Sequence, residues 1–226
     1  MDIGWLAGVI AVAVIDWYAV WTENERLNWF TKPGTILALL VWWAVFGGFQ
    51  GRSIWFGLAL FFGLLGDIFL LLPRRFFLIG LAFFLIGHAM YIGGLWFSPL
   101  ELGLRYAVLV VPLVALLFLV APHILGSMRE KEYTRRMRVP VLIYMLIISA
   151  MVFYAGSTLL RDDWQYPISL LALLGSIFFF CSDTMLAFRE FVRPFTRARF
   201  WVRITYHMGQ ILLTLAAVMN FSVLVD

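Results

Sequence analysis

Long runs of Leu, Ile, Val, Phe, Trp and Ala fill this chain, cut at intervals by short stretches that carry Pro, Arg or clustered polar residues. A helix needs about 20 apolar residues to cross the hydrocarbon core of a bilayer. By that measure the pattern predicts eight spans, at 3–21, 35–50, 54–72, 76–97, 102–121, 139–160, 166–188 and 200–224. The second is short and ends in a Gly pair, Gly47 and Gly48. No long linker or low-complexity segment interrupts the series. The expectation is an all-α, eight-transmembrane-helix bundle, with residues 1–226 forming a single transmembrane helical domain.

Composition agrees. The 226 residues are 63% hydrophobic and 18% aromatic, with only 13% charged and a mean hydropathy of +0.94. A soluble domain of this length has too much surface to hide so much apolar area. The start, "MDIGWLAGVI", lacks a basic n-region and reads as a retained first span. With one cysteine, Cys181, neither an internal disulfide nor a Cys-based metal cluster can form.

The net charge of +4 matters less than where the charges fall. Fourteen of the seventeen Lys and Arg residues, among them Lys32, Arg74, Arg129, Arg189 and Arg203, lie on one side of the predicted topology, and only Arg52, Arg105 and Arg161 on the other. The positive-inside rule makes the fourteen-charge side cytoplasmic and puts both termini on the opposite side, in the cytoplasmic membrane if the source is bacterial. The arginines of "REFVRPFTRARFWVR" read as anchors against anionic lipid, one or two of them available to a substrate phosphate. Spread along helix ends, they do not make a nucleic-acid surface. Nothing in the sequence specifies an oligomeric state.

Two aspartates break the apolar pattern. Asp67 in "GLLGDIFL" and Asp183 in "FCSDTMLA" each lie five residues before the cytoplasmic end of a span, roughly 7–8 Å deep at 1.5 Å per residue. Tyr206, His207 and Gln210 enter from the same side in span eight, and His88 and Tyr91 lie deeper in span four. An ionised Asp at mid-bilayer costs about 2.5–3.5 kcal/mol on insertion scales, so such residues are paired, hydrated or protonated. At matched depth, Asp67 and Asp183 are expected to face one cavity open to the cytoplasmic leaflet. Asp16, followed by the interfacial "WYAVW", is expected to be structural.

Three histidines raise the possibility of a zinc site, but no HxxxH or HExxH spacing occurs, and His123 is expected at a helix end after Pro122. No metal and no cofactor is expected. A repeat is also visible. "GDIFLLLPRRF" then "GHAMYI" parallels "SDTMLAFREF" then "YHMGQI", with 21 and 24 residues from Asp to His. Two parallel four-helix halves would bring the two Asp-bearing helices to equivalent places.

These residues also carry a resemblance. "TKPG" with Lys32, "GD" at Gly66–Asp67, "GHAMYI" with His88 and Tyr91, "SDTMLA" from Ser182, and "TYHMGQ" with Tyr206 and Gln210 occur in the order seen in the YhhN family of multi-pass membrane proteins. The resemblance covers most of the chain. It implies eight helices and, from the characterised animal members, hydrolysis of the vinyl ether of lysoplasmalogens to a fatty aldehyde and a glycerophospho-base. The implied partners are a lysophospholipid substrate and the bilayer.

That chemistry needs a proton donor for the distal vinyl carbon, a negative charge beside the resulting oxocarbenium ion, and a base for water. Glycosidases meet a similar cation with two carboxylates in different protonation states. The expected catalytic pair is therefore Asp67 and Asp183. Asp67 is the preferred acid, because Ser182 stands beside Asp183 to hold it ionised. His88, Tyr91, Ser182, Tyr206 and Gln210 are the expected substrate- and water-orienting residues. Lys32, expected in a cytoplasmic loop, would meet the phosphate. The competing expectation is a proton-coupled transporter or lipid-binding protein, with the same aspartates as a relay.

Overall fold

In hydrocarbon every backbone N–H and C=O must be satisfied within the chain, which leaves helices as the economical solution for long apolar runs. A computed structural model describes residues 3–96, 103–129 and 132–221, and no strand occurs among them. Nine α-helices follow in order: α1 (Ile3–Trp21), α2 (Glu25–Phe46), α3 (Ile54–Leu71), α4 (Phe77–Leu95), α5 (Ala107–Ser127), α6 (Glu132–Arg136), α7 (Arg138–Ser157), α8 (Tyr166–Phe191) and α9 (Ala198–Phe221). All but the short α6 are long and apolar enough to cross a membrane. The predicted span ends at Phe97, Leu102 and 222–224, and Lys131, lie outside the described residues.

Two helices differ most from the spans the pattern predicts. α2 begins ten residues early, so Lys32 and Pro33 lie inside the helix and not in a loop. The Asn24 side chain caps its start by accepting from the Leu27 N–H at 3.1 Å, and Glu25 sits in the first turn, where the helix dipole favours negative charge. The polar stretch is tolerated as helix because Asn28, Thr31, Lys32 and Thr35 all face inward to partners. At the other end, Gly48 and Gly51 adopt positive φ, which turns the chain into α3. α5 starts later than expected and runs through both Pro112 and Pro122 to Ser127. His123 is thus in a helix and not at its end. Proline is tolerated in membrane helices where the freed backbone groups find other partners.

Close packing follows from small residues. α8 and α9 pack along most of their length, as do α3 and α4. A Cβ on Gly209 would lie 3.0 Å from the Gly175 carbonyl, and one on Gly175 2.8 Å from the Leu213 nitrogen, so these two positions admit backbone-to-backbone contact. α2 packs on α3 as α7 packs on α8. Across the middle, α4 packs on α7 and α2 on α9. These contacts are what two parallel halves would produce, whereas the α1–α9 contact has no comparable partner between α4 and α5. The main core draws on every spanning helix except α5 and includes Trp42, Trp43, Phe56, Tyr91, Phe179 and Leu213. α5 buries only Ile124 and presents most of its surface outward against α7 and α8.

The basic end of the bundle gathers the α2/α1, α3/α4 and α8/α9 junctions. Arg199 there pairs with Glu25 at 2.6 Å, and Arg197 lies over the Trp21 ring. At the opposite end, Arg52 and Arg161 both bond Asp163 and donate to the Trp96 and Leu95 carbonyls.

Candidate active site

α3 brings Asp67 to the bundle interior at 1% exposure. The glycines of "GLLGD" make this possible: a Cβ on Gly66 would strike the Phe84 ring at 2.7 Å, and one on Gly63 the Gln210 amide at 2.9 Å. Lys32 Nζ lies 3.3 Å from Asp67 Oδ1, and the Tyr206 hydroxyl donates to Oδ2 at 2.9 Å. Behind Tyr206 the hydrogen bonds continue in one direction. Gln210 Nε2 donates to the Tyr206 hydroxyl at 3.4 Å, and Gln210 Oε1 accepts from Tyr91. Each donor is spent on the next acceptor, so the chain ends with a proton pointed at the Asp67 carboxylate.

Asp183 on α8 has a separate set. His88 Nε2 lies 2.9 Å from its Oδ2 and 2.9 Å from the Tyr144 hydroxyl, and Tyr144 donates to the same carboxylate oxygen. His88 is buried, whereas the Asp183 side chain keeps 10% exposure. Phe179 packs between the two units, 4.6 Å from the His88 ring and 5.3 Å from that of Tyr206. The two sets are related. Asp67 takes one partner from α2 in its own half and one from α9 in the other. Asp183 takes one from α7 in its own half and one from α4 in the other.

Both carboxylates line one cavity of about 360 Å³. Lys32, Tyr206 and Ser182 share its wall, and its mouth carries Arg74, Arg189, Glu190 and Arg199. It is apolar at Leu70, Phe77, Phe84 and Leu186. Of the residues singled out from sequence, Asp67, Asp183, Lys32, Ser182 and Tyr206 meet there. His88, Tyr91 and Gln210 stand one layer behind as supports. Ser182 departs from expectation in one respect: its hydroxyl donates to the Val202 carbonyl at 3.0 Å, tying α8 to α9, and does not hold Asp183.

Sequence reasoning missed a third charged unit. Arg203, also on the cavity wall, donates to Asp16 Oδ2 at 2.6 Å and to Asn28 Oδ1 at 3.2 Å. Thr31 donates to the other Asp16 oxygen at 2.7 Å. Beside it, Trp17 Nε1 donates to His207 Nδ1 at 3.1 Å, which leaves the neutral ring its proton on Nε2, 3.9 Å from Asp16. Asp16, expected to be a structural residue beside the interfacial aromatics, is deeply buried and ionically paired. A signal for Arg203 was available: Arg199, Arg203, Tyr206, Gln210 and Thr214 recur at helical spacing on α9. Tyr144, alone in an apolar run, had none. The three histidines do not converge, since His123 is exposed on α5 and bonds the Leu119 carbonyl.

Comparison with known proteins follows the same residues. The YhhN family model matches residues 27–217. The proteins named lysoplasmalogenase TMEM86B from Homo sapiens, Mus musculus and Rattus norvegicus are 28%, 30% and 32% identical to this chain, over 94%, 96% and 94% of its length and 86%, 87% and 83% of theirs. No solved structure matches significantly. With eight spanning helices and a family match that takes in Lys32, Asp67, His88, Asp183 and Tyr206, the chain is an integral multi-pass membrane protein that belongs to the YhhN family.

Proposed function

We propose that this chain hydrolyses the vinyl ether bond of lysoplasmalogens, releasing a fatty aldehyde and a glycerophospho-base. The name borne by its relatives supplies the substrate class. The observation that carries the reading is that two carboxylates with different partners line one cavity, half polar and half apolar, whose mouth is rich in arginine.

The two carboxylates take different roles in this reading. Asp67 has the Lys32 ammonium beside one carboxylate oxygen and accepts from Tyr206 at the other. With its counter-ion, Asp67 is here the anion beside the oxocarbenium ion, an alternative to the acid role expected from the sequence. Asp183 shares a proton with His88 and is the member of that pair that reaches the cavity. Asp183 gives this proton to the vinyl carbon distal to oxygen. The π electrons form the new C–H bond, and the positive charge falls on the carbon–oxygen unit. Asp183, now a carboxylate, takes a proton from the attacking water, so acid and base are one group in two steps. The hemiacetal then collapses. Asp67 takes the hemiacetal's hydroxyl proton, the C–O bond to glycerol breaks, and Lys32 protonates the departing glycerol oxygen and then recovers a proton from Asp67.

The transport reading finds less support. Among the described residues the hydrogen-bond chain from the cavity stops at Tyr91 and Thr214, under packed Trp43, Phe56 and Phe221. The test is direct. Purified protein given lysoplasmalogen is expected to form aldehyde, and given the saturated alkyl-ether analogue to form none. Release of fatty acid from an acyl lysophospholipid, without aldehyde from the vinyl ether, would replace this reading with an esterase.

A further inference from the structure

Asp183 borders a second space. Phe77, Asp183 and Leu186 line both the polar cavity and a narrow apolar cleft of about 30 Å³ between α4, α5, α7 and α8. Phe180 and Thr184 in turn line both that cleft and an outer apolar pocket of about 350 Å³ between α5, α7 and α8. The outer pocket is walled by residues such as Leu113, Leu116 and Val152, and it reaches the exposed Cys181. Cleft and pocket follow one stripe of α8, where Ile177, Phe180, Thr184 and Ala187 recur at helical spacing beside Asp183. From Asp183 to Ile177 the helix rises about 9 Å.

From this continuity we infer a binding subsite for the hydrocarbon chain of the substrate, running from Asp183 past Thr184 and out between α5 and α8 to the lipid. The inference rests on the proposed function and adds where the tail lies. An amphiphile with its head among the arginines of the polar cavity and its first carbons at Asp183 finds, among the described residues, a continuous apolar path in this direction. A tail already in lipid gains little by moving to another apolar surface. What the groove supplies is alignment, holding the first two carbons beside the carboxyl group. Thr184, where cleft and pocket meet, is the specificity-determining position.

Two measurements on the full chain in lipid nanodiscs test this. Thr184→Phe is expected to lower kcat/KM about tenfold for a long-chain lysoplasmalogen, the scale on which one misfit in an apolar pocket acts. It should lower the value for a short-chain substrate far less, so that the ratio of long-chain to short-chain kcat/KM falls. An equal fall for both chain lengths, or no fall, overturns the subsite. Independently of turnover and of any variant's folding, Cys181 of the wild-type protein reports occupancy. A saturated long-chain alkyl lysophospholipid at about ten times its dissociation constant should slow labelling by an apolar maleimide about tenfold, from occupancy alone. A short-chain analogue should not. Aldehyde formation without protection of Cys181 sinks the tail subsite and leaves the reaction standing. Protection without aldehyde formation keeps the subsite and sinks the reaction.

Discussion

Lys32 Nζ lies 3.3 Å from Asp67 Oδ1, joining α2 to α3 with both side chains almost wholly removed from solvent. Two charges withdrawn together are each other's main compensation. Removing one partner of a buried pair strands the other, at about 3–5 kcal/mol. Asp67→Asn should therefore lower the melting temperature as well as abolish turnover, because Lys32 is left alone. Lys32→Met should do the same from the other side. The double variant should recover most of the stability and none of the activity, since the two losses are not additive. If the double variant melts below both single variants, the two groups are not a compensated pair.

Asp183 predicts a different profile. An Asn side chain at 183 can still accept from Tyr144 and bond His88, so the local network survives Asp183→Asn. Thermal stability should stay near wild type. Turnover should fall at least about 10²-fold, the usual contribution of a general acid–base group. Adding His88→Gln should cost little more, because the two act as one proton-holding unit. Single-turnover assays with both variants check this, and near wild-type rates in Asp183→Asn would move the proton source elsewhere.

Asp16 and Arg203 form a second enclosed pair, with Asp16 at 0% exposure. Asp16→Ala is expected to destabilise by about 3–5 kcal/mol, because Arg203 is left without its countercharge. Asp16→Asn keeps an acceptor for Arg203 and for Thr31 and should be milder. Its activity per folded molecule should remain substantial. Parallel thermal-shift and kcat measurements on the two variants separate stability from chemistry. A complete loss of kcat in folded Asp16→Asn would place this group in the reaction.

We infer that the Arg-rich end faces the cytoplasm, from the fourteen-to-three division of the basic residues. In a Cys181→Ser background, a cysteine at position 129 should react with a membrane-impermeant maleimide only after the cells are opened. Labelling of Arg129→Cys in intact cells would reverse the orientation and put the mouth of the cavity outside.

Much of this was legible in the chain. Hydrophobic runs of membrane length locate all eight spans, because backbone satisfaction in lipid leaves few alternatives. The two aspartates stood out for the same reason, as costs that need partners. What stayed hidden were the partners themselves. Lys32 read as loop because Lys-Pro is ordinarily helix-breaking, and only Asp67, on another helix, explains its place inside. Tyr144 meets Asp183 across an α7–α8 contact that no spacing within either helix encodes. Arg203 resembled its arginine neighbours in sequence. It differs only in being turned inward to Asp16, although the periodic polar residues of α9 pointed that way.

The Asp16–Arg203 pair also bears on how the chain is made. α1 is synthesised before α9. Thr31 can reach Asp16 as soon as α2 is in place, but Asp16 waits for its countercharge until seven further spans have emerged. Until α9 is made, the chain therefore carries that carboxylate uncompensated. Closing the bundle supplies the countercharge, and the same arginine completes the wall of the cavity.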